Sequence, residues 1–266
     1  MKNDTDFILN KVQGAVGNVP IYIHDPGHDY ISSQVNASHN FEPHIFETIY
    51  SCLKENGDMN LIDVGANIGI ISLQAAVLGR EVISIDAAKS NIQHICASAH
   101  ENNAGGRIRL IHNAVSDIHT SVSFVMGNDG EFGASFMDDK NLRQDKIRMS
   151  GVKFDTQNLV TVDTVLLDDL LYLPNIYDFK TVFIKLDIEG SEHKVLLGAR
   201  KLFQKLSVRG VLMEWRWHVT RPVSKSIILT FMEEFGFEPY AIAKPIGSKL
   251  DGKTMNNSDV IWLPTQ

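Results

Sequence analysis

The apolar positions of this chain fall into two spacings that alternate along it. At residues 60–64, Leu61, Ile62 and Val64 form a short apolar run broken only by Asp63. After Gly65 and Gly69 the interval changes, and Ile70, Leu73, Ala76 and Val77 recur at helical spacing. The pattern predicts a buried strand, a tight glycine turn and a helix. Glycine takes positive φ without penalty, and Gly69 removes a side chain where the first helical turn must approach a strand or ligand. The unit then repeats. A strand over 81–85 ends in Asp86 and feeds a helix over 91–102. A strand over 107–112 runs into N-A-V-S-D at 113–117. Residues 181–187, T-V-F-I-K-L-D, make the strongest buried strand, and a helix follows over 192–203. A strand over 208–217 carries Glu214 near its tip, with His218 just beyond. A helix over 224–235 stops at Gly236, and 237–242 and 259–263 supply two last strands joined by a loop over 244–257.

Outside these repeats the pattern is thinner. V-P-I-Y-I-H at 19–24 alternates as an edge strand, a position that tolerates Pro20. A helix opens at Pro43, presents Ile45, Phe46, Ile49, Tyr50 and Leu53 as one stripe, and ends at Asn56-Gly57. It reads as a lead-in helix that covers the sheet. Residues 121–126 and 132–137 predict a hairpin around G-N-D-G at 127–130. Residues 144–158 read as a polar loop, 159–165 alternates as a strand, and 166–171 begins a helix. Strands alternating with helices predict an α/β fold with a mostly parallel sheet. The natural division is 1–59 as lead-in and 60–266 as the binding domain.

Polar groups sit at successive strand ends: Asp63, Asp86, Asn113, Asp187 and Glu214. Open parallel sheets bind ligands outside the carboxyl ends of their strands. The first turn, Gly65-x-x-x-Gly69, lacks the middle glycine that a dinucleotide fingerprint needs for pyrophosphate. Asp63 just before it would repel phosphate and attract a cation. S-adenosylmethionine carries an ammonium and a sulfonium but no phosphate, so it suits this turn better than NAD. Asp86, about twenty residues on, lies where a carboxylate meets ribose hydroxyls or caps the next helix. Asn113 and Ala114 are candidates to line an adenine pocket. Asp187 and Glu189 together are costly to bury without purpose. They face a cation or an acceptor hydroxyl, or else the stretch is structural, with Ser191 capping the helix, first-turn acids complementing its dipole and Lys185 supplying a salt bridge.

Composition narrows the classes. The 266 residues are 44% hydrophobic, enough for a full core, and carry a net charge of −7. That charge argues against a nucleic-acid surface. Cys52 and Cys96 show no metal or disulfide spacing, and their helical surroundings predict two buried thiols. Residues 1–10 do not resemble a secretory leader and no apolar run reaches membrane length. A cytoplasmic protein without a membrane span is the expectation.

D-V-G-A-N-I-G at 63–69, N-A-V-S-D at 113–117, L-D-D-L at 167–170, K-L-D-I-E-G-S-E at 185–192 and the M-E strand end at Glu214 together resemble the FkbM-type methyltransferases. The resemblance spans roughly residues 41–263. It implies a Rossmann-like class I methyltransferase fold, with seven strands, the last antiparallel, and helices on both faces. It implies S-adenosyl-L-methionine as cofactor and transfer to oxygen. By the same resemblance Asp63, Gly65, Ala66, Asn67 and Gly69 hold the methionyl part. Asp86 binds the ribose, Asn113 and Ala114 flank the adenine, and Asp187 lies near the methyl group with Glu189. Glu42 looks like the acid the family places near the cofactor's amino group. Where the family often has Glu-Pro at the second strand's end, this chain has Asp86-Ala87.

The expected reaction is methyl transfer to a hydroxyl of a small molecule, sugar or lipid, with no nucleic-acid partner. Asp187, Glu189, Glu214, His193 and His218 are the candidates to take the acceptor's proton, Asp187 foremost. No residue is assigned to a metal, although Asp187, Glu189 and Glu192 would supply hard oxygen ligands to one. A non-catalytic binding protein of the same fold and an NAD-type oxidoreductase are the alternatives.

Overall fold

A computed structural model describes residues 7–125, 136–137, 159–243, 246–256 and 258–265. The chain opens with an antiparallel hairpin, β1 (Ile8–Gly14) and β2 (Gly17–Ile23). Only β2 has a clear alternating signal. In β1 Val12 is fully buried but Leu9 is half exposed, so its apolar pattern is too thin to read as a strand. Helix α1 (Tyr30–Ser38) was likewise absent from the sequence pattern. It buries Ser32 and Val35 alone and is started by Asp29, whose carboxylate accepts the Ser32 N–H at 2.8 Å. The lead-in helix is present as α2 (Pro43–Glu55).

The main sheet contains β3 (Met59–Val64), β4 (Val82–Asp86), β5 (Ile108–His112), β10 (Thr181–Leu186), β11 (Ser207–Glu214), β12 (Phe237–Ala241) and β13 (Asp259–Pro264). Their spatial order is β12-β13-β11-β10-β3-β4-β5. Neighbours pair in parallel except that β13 runs antiparallel to both β11 and β12. The period of two along each strand divides the core. Ile62, Val64, Ile184, Leu186, Val211 and Met213 face α5 (Glu192–Leu197), α6 (Arg200–Lys205) and α7 (Pro222–Glu234). Leu61, Phe183, Leu212 and Ile261 face α2, α3 (Ile70–Val77), α4 (Lys89–Glu101) and the hairpin. Helices therefore cover both faces, and the carboxyl ends of β3, β4, β5, β10 and β11 share one edge.

A second sheet, in the order β6-β9-β7-β8, lies beyond β5 in the chain: β6 (Ala114–Val115), β7 (Ser121–Val125), β8 (Phe136–Met137) and β9 (Leu159–Val165). Phe124 pairs with Met137 and Val125 with Phe136, antiparallel as the hairpin pattern requires. Its turn at 127–130 and the loop at 144–158 lie outside the described residues. The segment after β9 is a 3-10 helix (Leu167–Tyr172) rather than an α-helix. The helix expected over 192–203 is two helices broken at Gly198. A Cβ there would sit 2.4 Å from the Ser116 carbonyl, and the Gly198 carbonyl accepts the Asp168 N–H at 2.9 Å. Cys52 is buried as expected, but Cys96 is exposed, because it lies on the outward side of α4. No helix among the described residues is long and apolar enough to cross a membrane.

Candidate active site

The glycine turn after β3 is held from three sides. The N–H groups of Gly65 and Ala66 both donate to the Ile85 carbonyl at the end of β4, at 2.9 and 3.1 Å. Gly65 has φ 77°, and a Cβ there would lie 1.9 Å from the Asp187 carbonyl, so the tips of β3 and β10 meet backbone to backbone. Gly69 also packs closely on the next helix: a Cβ there would come 2.8 Å from Ile95 Cγ1 on α4. Asn67, with φ 52°, accepts the Ile68 N–H on its own side chain.

Asp86 braces this turn from the next strand. Its Oδ2 accepts the Asn67 N–H at 2.8 Å, and its Oδ1 accepts the Ala88 N–H and the Asn91 amide at 2.8 and 3.1 Å. A carboxylate offers about four acceptor positions, so three N–H donors leave room for one hydroxyl. Burial pushes its carboxyl up, and these donors oppose the rise. Asn91 also meets His24 Nε2 at 2.9 Å, which ties the N-terminal hairpin to the brace. Asn113 donates to the Asp163 carbonyl at 3.0 Å and so joins the second sheet to the end of β5, while Ala114 is buried beside it.

Asp63 is fully buried beneath the turn. Its Oδ2 accepts the Ser72 hydroxyl at 2.6 Å, Ser72 accepts that of Ser84 at 2.7 Å, and Lys185 Nζ lies 3.3 Å from Oδ1. Lys185 also donates to the Gly65 carbonyl at 2.7 Å and reaches Asp187 Oδ2 at 3.5 Å. Burial alone would lower its pKa; the Asp63 and Asp187 carboxylates reverse this and push it up. The ammonium thus bonds the two central strand tips. Its signal in the sequence is one lysine within T-V-F-I-K-L-D.

Beyond β10 and β11, Asp187, Glu189 and Glu214 bring one carboxylate oxygen each within 4.8 Å of one another. Asp187 is half exposed and Glu214 is buried. Glu214 Oε2 accepts the Trp217 indole N–H at 2.7 Å, and its Oε1 pairs with Arg216. Burial, then the charges of Glu189, Asp187 and Glu192, push its carboxyl well up, against Arg216. Glu42 sits in the left-handed region at φ 41° and shares the Asp187 and Arg216 charges with Glu214. Desolvation of its carboxyl, followed by Asp187 and then Asp259 at the start of β13, pushes it up to about 7.

Glu192 points the other way. It is fully buried and accepts the Ile188 and Gly190 N–H groups at 3.0 and 3.2 Å. His218, also fully buried, engages both ring nitrogens: Nε2 with Glu192 at 2.7 Å and Nδ1 with the Ser224 hydroxyl at 2.9 Å. His193 is half-buried, and burial, then the neighbouring His218, lowers its pKa to about 4. Among the described residues, the carboxylates at the rim, Glu42, Asp187, Glu189, Glu214 and Asp259, outnumber the cations Lys185 and Arg216. Such a donor set fits a cationic ligand and disfavours a pyrophosphate.

A mostly parallel seven-stranded sheet, its last strand reversed, with helices on both faces and a glycine turn after its central strand, is the class I S-adenosylmethionine-dependent methyltransferase fold. Within that class the match is specific. The model of the methyltransferase FkbM domain matches residues 63–239, and the chain belongs to the FkbM methyltransferase family. No curated protein matches it. Among solved structures it is similar to the methyltransferase FkbM of Methylobacillus flagellatus KT, at 17% identity and a TM-score of 0.45, covering 77% of this chain and 44% of that one. This chain thus spans less than half the length of that relative. The magnesium protoporphyrin IX methyltransferase of Synechocystis PCC 6803 with bound SAM is 11% identical at a TM-score of 0.43, covering 89% and 84% of the two chains. The T. Thermophilus 16S rRNA N2 G1207 methyltransferase, in complex with AdoMet and guanosine, is 9% identical at a TM-score of 0.46, covering 98% and 51%.

Proposed function

We propose that this protein methylates a hydroxyl of a small molecule, sugar or lipid. The observation that carries the proposal is the convergence of Asp187, Glu189 and Glu214 from two adjacent strand tips, within 4.8 Å, beside the turn that Asp86 braces. S-adenosylmethionine, when bound, supplies a methyl group already activated on a sulfonium. The backbone of Gly65, Ala66, Asn67 and Gly69 would receive its methionyl part, with Asp63 acting from beneath through Lys185. Asp86 has one acceptor position left for a ribose hydroxyl, and Asn113 and Ala114 would flank the adenine. Glu42 and Asp187 would face the cationic end.

What remains for the chain is to align the acceptor oxygen and receive its proton. Alignment alone is worth about 7–11 kcal/mol. A positioned base adds roughly 10²–10⁴-fold. Asp187 is the best-placed base because it is half exposed at the strand tip, whereas Glu214 is buried and already engaged by Trp217 and Arg216. Glu189, next along the tip, shares the acceptor's face.

The test is incubation with labelled S-adenosylmethionine and a fractionated metabolite extract. A hydroxylated fraction should acquire label, and Asp187→Asn should remove that transfer while leaving the fold intact. Absence of any binding heat with the donor would refute the reading.

A further inference from the structure

The tip that carries Asp187 and Glu189 has a backbone that does not hold itself. Glu189 and Gly190 are consecutive left-handed residues, at φ 61° and 98°. A non-glycine residue in that region is strained and persists where the surroundings enforce it. The following helix gives no help: Ser191 at its start makes no side-chain cap. Glu192 reaches back to the tip and takes the N–H groups of Ile188 and Gly190 on one oxygen. Its other oxygen is held by His218 Nε2 at 2.7 Å.

His218 is fixed in turn. The Ser224 hydroxyl lies 2.9 Å from Nδ1 and also 3.2 Å from the Arg221 carbonyl, which anchors the ring to the start of α7. The Trp215 and His193 rings flank it, with centroids at 5.5 and 6.1 Å. His218 follows β11, the strand that supplies Glu214. The bridge Ser224–His218–Glu192 therefore joins the β10 tip, with Asp187 and Glu189, to the β11 tip, with Glu214. Each link is buried, so water does not compete for it.

We infer that His218 is a positioning residue: through Glu192 it sets the Asp187–Gly190 tip against Glu214, and it takes no proton from the acceptor. The inference rests on the methyl-transfer reading for its consequence in turnover, but not for its consequence in backbone order.

The experiment compares the full wild-type chain with His218→Ala and His218→Gln, whose amide can still donate to Glu192. Three quantities are read: hydrogen–deuterium exchange of the peptide spanning 186–192, heat of S-adenosylmethionine binding, and transfer of label to the accepting fraction. His218→Ala should raise exchange at 186–192 and lower kcat by about 10²-fold, the scale of a misplacement near 1 Å. Donor affinity should stay within about threefold, since the Asp86-braced turn is untouched. His218→Gln should bring exchange and kcat back toward wild type. Unchanged exchange in His218→Ala would overturn the inference. So would equal loss of kcat in both variants, which would make the imidazole itself the base. If His218→Ala does not fold, Ser224→Ala replaces it. Raised exchange at 186–192 then supports the bridge, and exchange equal to wild type overturns it. Failure of the wild type to bind the donor would sink the methyl-transfer reading while leaving the exchange comparison decisive for the bridge.

Discussion

Replacing Lys185 by Met tests the centre of the structure most severely. Methionine nearly fills the lysine volume, so the change removes a charge without opening a cavity. It leaves the Asp63 carboxyl at 0% exposure with its nearest cation gone. At 3.3 Å and an effective dielectric near 20, the lost attraction is about 5 kcal/mol. The second contact, to half-exposed Asp187 at 3.5 Å, adds at most about 1 kcal/mol because solvent screens it. Removing a lysine also removes the cost of burying it, so the net loss should be about 3–5 kcal/mol, the usual result of breaking a buried pair. In a chain of this size that corresponds to roughly 6–20 °C in Tm. Denaturant titration gives the loss directly. The double variant Lys185→Met with Asp63→Asn, which keeps an acceptor for the Ser72 hydroxyl, should recover more than half of it. A loss below about 1 kcal/mol, or no recovery in the double variant, would show that Asp63 is not held as an ion by Lys185.

Other outcomes follow from the same geometry. The Glu42 carboxyl, raised from 4.5 to about 7, holds a proton in the fold that the unfolded chain releases. Its contribution to stability is therefore greatest below 4.5 and falls as pH rises to about 7, and a cationic donor bound beside it displaces that proton. Donor affinity should rise with pH up to about 7, by no more than about tenfold per unit, and Glu42→Gln should flatten the profile measured by calorimetry. A flat profile in the wild type would separate Glu42 from the donor. Gly65→Ala combines a left-handed backbone with a Cβ 1.9 Å from the Asp187 carbonyl. It should cost several kcal/mol, on the order of 4 or more, and a melting curve near wild type would contradict the contact. Methyl transfer should survive exhaustive chelation, because the carboxylates are proposed to act without an ion; loss restored by a divalent cation would make Asp187, Glu189 and Glu214 ligands instead.

The sequence by itself determined the alternation of strands and helices, the glycine turn, and the strand ends at which acids and amides occur. Those features are local: period two against 3.6, glycine where φ is positive, a polar residue closing an apolar run. It also carried the five blocks that mark the family. The tertiary structure decided which of these groups meet and which way they face. Asp63 and Asp187 lie 124 positions apart in the chain, yet one ammonium joins them. Glu192 and Glu189 are three positions apart, yet one is sealed beneath the tip and the other stands at the acidic cluster. His218 reads as a possible base from its place after a strand, but both its nitrogens are already engaged in the core. Strand β1 and helix α1 were illegible because they bury few apolar side chains, and the break at Gly198 because its cause, the Ser116 carbonyl, lies 82 residues away in the chain. A periodic pattern records which side of an element is dry. It does not record what the dry side touches, since that depends on strands brought together from distant parts of the chain.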